Sequence, residues 1–324
     1  DAHPEALVAS LEPNDYGLMC QCDRCLALDK QYGQTREEAD QVADRLLHFS
    51  QQIYDRLDPQ YRDKYLGILI YGNQDALPVR ATPHPHHAGI ICHFMLHYDH
   101  SRPWTDPTSP RNVEFSRRAA GWGRLLTQYG YYDYYGHWAF FGPWAMVHKL
   151  REDLPAFRAL GGTFLVLENQ PNFAAQGLNH YVAARLIWDL DADVDLLADD
   201  FYRTFYGPVA APMRRYWQTA ERYYALERPG IMPDVRVAAR PAFWTELAAC
   251  LQEAVRLTAA LPPAQHRFRD RVQFAADGLA FGRILYQHDA RFGQLARRAG
   301  LAIDHAAAVA FLQAHQAELD AIQA

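Results

Sequence analysis

The sequence predicts an α/β chain: the C-terminal part of a TIM-type (β/α)8 barrel, about five βα units over residues 1–190, followed by an all-helical domain over 191–324. Three observations predict it. Five short apolar runs of strand length are separated by helical periodicity or long connections, the order expected of βα units. Two of these runs, Leu66 to Ile70 and Phe164 to Leu167, lack polar alternation, as parallel strands covered on both faces should. Beyond Leu190 every apolar pattern has helical spacing.

Taken in order, Leu7 to Leu11 reads as a first strand and EPNDYG after it as a loop. A helix is expected from about Arg36 to Leu57, with Thr35 as N-cap, Glu38 completing a capping box, and Val42, Leu46, Phe49 and Ile53 as the apolar stripe. Strands follow at Tyr65 to Tyr71 and Gly89 to Leu96, then a helix from about Val113 to Gln128. The ring-rich YGYYDYYGHW is a fourth strand running into a loop. A helix from about Trp144 to Leu160 stops at Gly161-Gly162, TFLVLE is the fifth strand, and a helix covers about Ala175 to Asp189. The helical tail begins with the face Val194, Leu197, Ala198, Phe201, Tyr202 and Phe205, closed by Gly207-Pro208. Further helices are marked by Met213 to Tyr224, by Phe243 to Ala254, by about Phe268 to Gln287 and by about Ala290 to Ala317. No tight Gly-rich first turn supports a doubly wound sheet. Because a closed barrel needs eight strands, the count of five leads to the expectation that three βα units precede residue 1.

Composition excludes several classes. The 324 residues are 49% hydrophobic and 22% charged, which is neither disordered nor fibrous. A net charge of -6, with the Arg pairs at 117–118, 214–215 and 297–298 set inside helical patterns as solvated faces, argues against nucleic acid as a partner. No apolar run approaches the roughly 18 residues of a membrane span. The compartment, cytoplasmic or extracytoplasmic, stays open, and no cofactor motif is found. Aromatic residues make 13% of the chain and many follow strands; such rings suit either a sugar-stacking pocket or a thick core.

Barrel sites gather at the C-terminal ends of strands, and acids recur there: Glu12 and Asp15, Asp75, Asp133, and Glu168. Paired carboxylates are the usual machinery of glycosidic cleavage, while an N-acetyl sugar can supply its own nucleophile if the protein orients the amide, a task Asn14 and Asp15 could divide. Asp15 is the expected general acid, with Asn14 beside it. Glu168 is placed in the same cleft, orienting a hydroxyl. Glu12, Asp75, Asp133, Tyr135, His137 and Trp138 are candidates for holding substrate.

Cys20, Cys22 and Cys25 fall within CQCDRC. Three readings stand side by side: a structural metal site completed by a ligand such as His3, a Cys22–Cys25 redox pair or disulfide, and plain packing. Seven of the fifteen His lie between residues 84 and 137, yet His93 and His97 sit in or just past a strand pattern, where a four-residue spacing does not make a helical ligand pair.

SLEPNDYGLMCQCDRC and LENQPNFAAQGLNHYVAARLIWDLDADVDLLADDFYRTFYGPVAAPMRRYW resemble the bacterial domain of unknown function 4838 (DUF4838), a group linked to glycoside hydrolase family 163. The resemblance covers roughly residues 7 to 225. It implies a barrel with trailing helices and carbohydrate metabolism. The expected activity is that of a glycosidase, a hydrolase acting on β-linked N-acetylglucosamine glycans and related to the endo-β-N-acetylglucosaminidases. Asn14 and Asp15 match the family's PND stretch, and Glu168 the acid after its last strand. Glu12 and the stretch from Pro171 to Phe173 depart from the family pattern. The alternatives are a non-catalytic carbohydrate-binding protein and an α-glucuronidase-like barrel enzyme. A glycan is the expected partner, with the absent N-terminal units or a second copy of the chain covering open strand edges.

Overall fold

The computed structural model describes residues 5–12, 19–34, 42–94, 97–136, 142–168, 173–231 and 233–288. Expectations placed on His3, Asn14, Asp15, Thr35, Glu38, His137, Trp138 and the helix from about Ala290 to Ala317 lie outside them. The chain divides into two compact units: residues 1–98, 110–133 and 155–167 in the first, and residues 99–109, 134–154 and 168–324 in the second.

The first unit is built on one sheet. In chain order its elements are β1 (Val8–Ser10), α1 (Asp23–Gln31), α2 (Ala43–Tyr54), β2 (Tyr65–Ile70), β3 (His87–Cys92), α3 (Pro110–Leu125), β4 (Gln128–Tyr134), the end of α4 (Val147–Ala159), and β5 (Phe164–Glu168). The strands lie side by side in sequence order, β1-β2-β3-β4-β5. Parallel register sets Val8 opposite Tyr65, Leu66 opposite His87, and Ala88 opposite Gln128. β2 and β3 are buried along most of their length, in keeping on β2 with the unalternating run Leu66 to Ile70; the run Phe164 to Leu167, expected to be covered on both faces, lies on the edge strand β5 and has no fully buried residue. Ile68, Ile70, Ile91, Trp122, Tyr129 and Tyr131 are all within 2% of fully buried and form the core.

The sheet is not a closed eight-stranded TIM barrel, which corrects the fold class read from sequence. It is an open, curled half-barrel of five parallel strands followed by helices, with β1 and β5 at its two edges. Closure demands that strand number, tilt and stagger agree. Here β1 is three residues long and exposed throughout, and Phe164 on β5 is 36% exposed.

Two close contacts fix how the connections lie. Asp44, at the start of α2 and fully buried, accepts hydrogen bonds from the amides of Val79 (2.7 Å), Arg80 (2.9 Å) and Ala81 (2.6 Å). One carboxylate thus satisfies three consecutive backbone donors of a loop that has no ladder of its own. On α3, a Cβ at Gly123 would stand 2.6 Å from the backbone oxygen of Leu160. Only glycine permits that approach.

In the second unit the continuing elements are the start of α4, then α5 (Phe173–Trp188), α6 (Val194–Tyr206), α7 (Ala210–Ala225), α8 (Pro233–Ala238), α9 (Pro241–Thr258) and α10 (His266–His288). Asp193 caps α6 by accepting from the amides of Asp195 and Leu196. Leu178, Phe201, Tyr216, Trp217, Phe243 and Leu247 pack its interior, and Trp144 stacks on Tyr224 at 5.5 Å. Lys149 and Asp153, both fully buried, pair at 2.6 Å one turn apart on α4, and Asp153 also accepts from the Trp104 amide. None of the described helices is long and apolar enough to cross a membrane.

Asp44→Ala takes the acceptor from three successive, partly buried backbone amides and should cost about 1–3 kcal/mol, read as a lower urea midpoint; Asp44→Asn should lose less. Gly123→Ala should cost about 1–3 kcal/mol by forcing α3 off the Leu160 backbone, measured the same way.

Candidate functional site

Parallel α/β sheets place ligands beyond the carboxyl ends of their strands. At that end of β2, just past Tyr71, Gly72 turns the chain with φ of 59°, a left-handed conformation that favours glycine. The turn delivers Asp75 into the wall of a recess of about 490 Å³, a size typical of small-molecule sites. His97, Tyr98, Arg111, Glu114 and Arg118 also line it.

Asp75 is 2% exposed. Its carboxylate pairs with Arg118 and accepts a hydrogen bond of 2.7 Å from the Tyr98 hydroxyl, while its backbone carbonyl accepts from the Trp122 indole at 3.1 Å. Burial raises the Asp75 pKa, with Arg118 and Tyr98 opposing that rise. Arg118 also donates through Nε to Glu114 at 2.7 Å. Glu114 is held well down, its pKa pulled from 4.5 to about 2, by Arg117 first and then by Arg118. Burial lowers the pKa of His97, which favours a neutral ring. Arg111 donates to the His97 carbonyl at 2.8 Å and has no carboxylate partner among the described residues.

Beneath this recess the polar chain continues. The His93 ring stacks on Tyr98 with centroids 5.4 Å apart, and its Nδ1 lies 3.8 Å from the Asp133 carboxylate. Asp133 accepts from the Tyr131 hydroxyl at 2.8 Å, and both His93 and Asp133 are fully buried. Asp75 and Asp133 are therefore connected through Tyr98 and His93, although Asp133 is interior rather than part of the recess wall.

The other expected site residues have different surroundings. Glu12 extends the β1–β2 ladder by accepting from the Leu69 amide at 2.7 Å, so its carboxylate is used on backbone. Glu168 ends β5, half-buried, and its carbonyl accepts from the Tyr135 amide at 3.2 Å. Tyr135 is fully buried in the second unit, where Asn179 donates to its carbonyl. Asn14, Asp15, His137 and Trp138 lie outside the described residues. Arg118 and Tyr98 were not singled out from sequence. In the sequence Arg118 reads with Arg117 as a solvated face, and only the Glu114–Arg118 spacing of four along α3 hints otherwise.

A second recess of about 710 Å³ runs between α9 and α10, lined mainly by apolar side chains such as Trp244, Leu251, Val255 and Leu279. It lacks the paired acids and bases of the first.

The cysteines form a separate cluster in the first unit. Cys22 is the N-cap of α1 and Cys25 lies in its first turn. The sulfurs of Cys20, Cys22 and Cys25 all lie within 4.8 Å of one another, and no disulfide joins them. Cys20 and Cys22 are exposed and Cys25 is half-buried. The Cys25 amide, then the neighbouring thiols, pull the Cys22 thiol down to about 7, while burial pushes Cys25 up. Arg45 on α2 donates to the Cys20 carbonyl at 2.8 Å and, through Nε, to Asp29 of α1 at 2.9 Å.

Glu114 gives the recess a pH signature. A carboxyl whose folded pKa lies below its ordinary value contributes stability above pH 4.5 and loses it as pH falls through about 2. Glu114→Gln should lower the urea midpoint at pH 7, modestly because the pair is partly exposed to solvent. The gap to wild type should close as pH approaches 2.

The open sheet does not bear out the labels TIM barrel, glycosidase, hydrolase or carbohydrate metabolism. Both acids of the recess are engaged by Arg118. No curated protein and no solved structure matches the chain. The model of the family described as Domain of unknown function (DUF4838) does match, over residues 1–219, about two thirds of the sequence. The chain belongs to the DUF4838 family.

Proposed function

We propose that the recess at the carboxyl end of β2 binds carbohydrate without cleaving it, and that the sugar it selects carries a carboxylate. The observation that carries the reading is the contrast between two arginines. Arg118 is neutralised by Asp75 and Glu114, whereas Arg111 lines the same recess with no carboxylate partner among the described residues. A guanidinium is a planar fork suited to a carboxylate. Around it, Tyr98 and the neutral His97 offer ring surface and polar edges of the kind that suit sugar hydroxyls.

A neutral or N-acetylated sugar leaves Arg111 unmatched and would prefer an enclosed aromatic pocket for its acetamide. The catalytic alternative finds less support. Glu114 is held ionised far below neutral pH, and both carboxylate oxygens of Asp75 already accept hydrogen bonds, from Arg118 and Tyr98, which leaves neither acid facing a substrate oxygen.

Calorimetric titration of the whole chain with uronic-acid oligosaccharides, neutral hexose oligosaccharides and N-acetylglucosamine oligosaccharides tests this. Uronic-acid sugars should bind best, and Arg111→Ala should weaken them by about tenfold to a hundredfold, the loss of one charge-assisted pair. Equal binding of all three classes, no binding, or indifference to Arg111→Ala would overturn the proposal. Release of shortened oligosaccharide by the wild-type chain would overturn its non-catalytic part.

A further inference from the structure

We propose that Cys20, Cys22 and Cys25 hold one zinc ion through three thiolates. This rests on different residues from the sugar recess and stands or falls separately.

Three thiols in six residues do not by themselves make a site, since an extended loop would splay them. Here the loop runs into α1, with Cys22 at its cap and Cys25 one turn in, so the second and third sulfurs are brought to the same side. Cys20 joins them, and all three sulfurs lie within 4.8 Å of one another. A tetrahedral zinc with Zn–S bonds of about 2.3 Å requires sulfurs about 3.8 Å apart. Small side-chain rotations therefore close the set around a metal.

The surroundings favour such an ion. Zinc with three thiolates carries a net negative charge, and Arg45 supplies a positive one beside Cys20 and Cys25. The same guanidinium holds the Cys20 carbonyl and Asp29, so the loop position is set by a bond between α1 and α2 rather than by the metal alone. No fourth His, Cys, Asp or Glu among the described residues joins the cluster, and Cys20 and Cys22 are exposed. Soft thiolates select against magnesium and calcium. Binding exchanges thiol protons for the metal, with no change of oxidation state.

The reduced full-length chain, stripped with a chelator and given zinc chloride, tests the assignment. After gel filtration it should retain one zinc per chain by elemental analysis and release protons on binding. Cobalt substitution should give the intense visible absorption of a tetrahedral thiolate site. Cys20→Ser, Cys22→Ser and Cys25→Ser should each weaken zinc by more than about tenfold, the least expected of a direct ligand when outer-shell losses reach that size. Cys250→Ser should not. If reduced wild-type protein retains no zinc, or if peptide mapping finds Cys22 and Cys25 joined by a disulfide in a metal-free chain under reducing conditions, the proposal fails. Because the wild-type measurement decides first, a variant that does not fold leaves the test intact.

Discussion

The cost of burying one carboxylate organises the first unit. An ionised Asp75 in the interior would be worth several kcal/mol of lost hydration if it stood alone. Its position just past β2 is sustained because α3 supplies Arg118 and the Trp122 indole, and the segment after β3 supplies the Tyr98 hydroxyl. Three parts of the chain meet on one side chain and its own carbonyl. Their relative placement sets the recess wall, puts Arg118 between two acids, and leaves Arg111 without a carboxylate partner among the described residues. A buried pair of this kind is weak evidence of stability and better evidence of specificity in placement.

Much of this was legible in the sequence and some was not, for reasons that follow from locality. Five strands appeared where short apolar runs lie, and Leu66 to Ile70 read correctly as covered on both faces, because that pattern is carried by consecutive residues. Closure was not legible. Whether a sheet curls shut depends on what pairs with β1 and β5, and no run within either strand records it. The short helix α1 was also missed, since CQCDRC reads as a loop and the apolar periodicity after it is weak. Arg118 was passed over for the same kind of reason. Beside Arg117 it looks like a solvated face, and its true partner, Asp75, is 43 residues away.

The acids show the limit most clearly. Position after a strand pointed to Glu12, Asp75, Asp133 and Glu168 alike, but the structure gives them different tasks. Glu12 continues a ladder, Asp75 organises the recess, Asp133 sits with His93 in the interior, and Glu168 ends an edge strand. A carboxylate at a strand end is equally suited to water, to backbone amides or to a guanidinium. The choice is made by segments distant in sequence. Asp44 lies inside the expected helix with no sequence signal to mark it, although it engages more backbone donors than any candidate acid described above.

Asp44 has a consequence for how the loop can vary. It recognises residues 79 to 81 only through their peptide N–H groups, and nothing in that recognition depends on side-chain identity. Val79 projects into solvent, 56% exposed. Substitutions along this stretch are therefore tolerable to the anchor in almost any chemical class, with one exclusion: proline, which has no N–H to offer. A loop that would look freely variable in an aligned family would carry one hidden rule, absence of proline at three successive positions, written by an aspartate 35 residues upstream of the first of them.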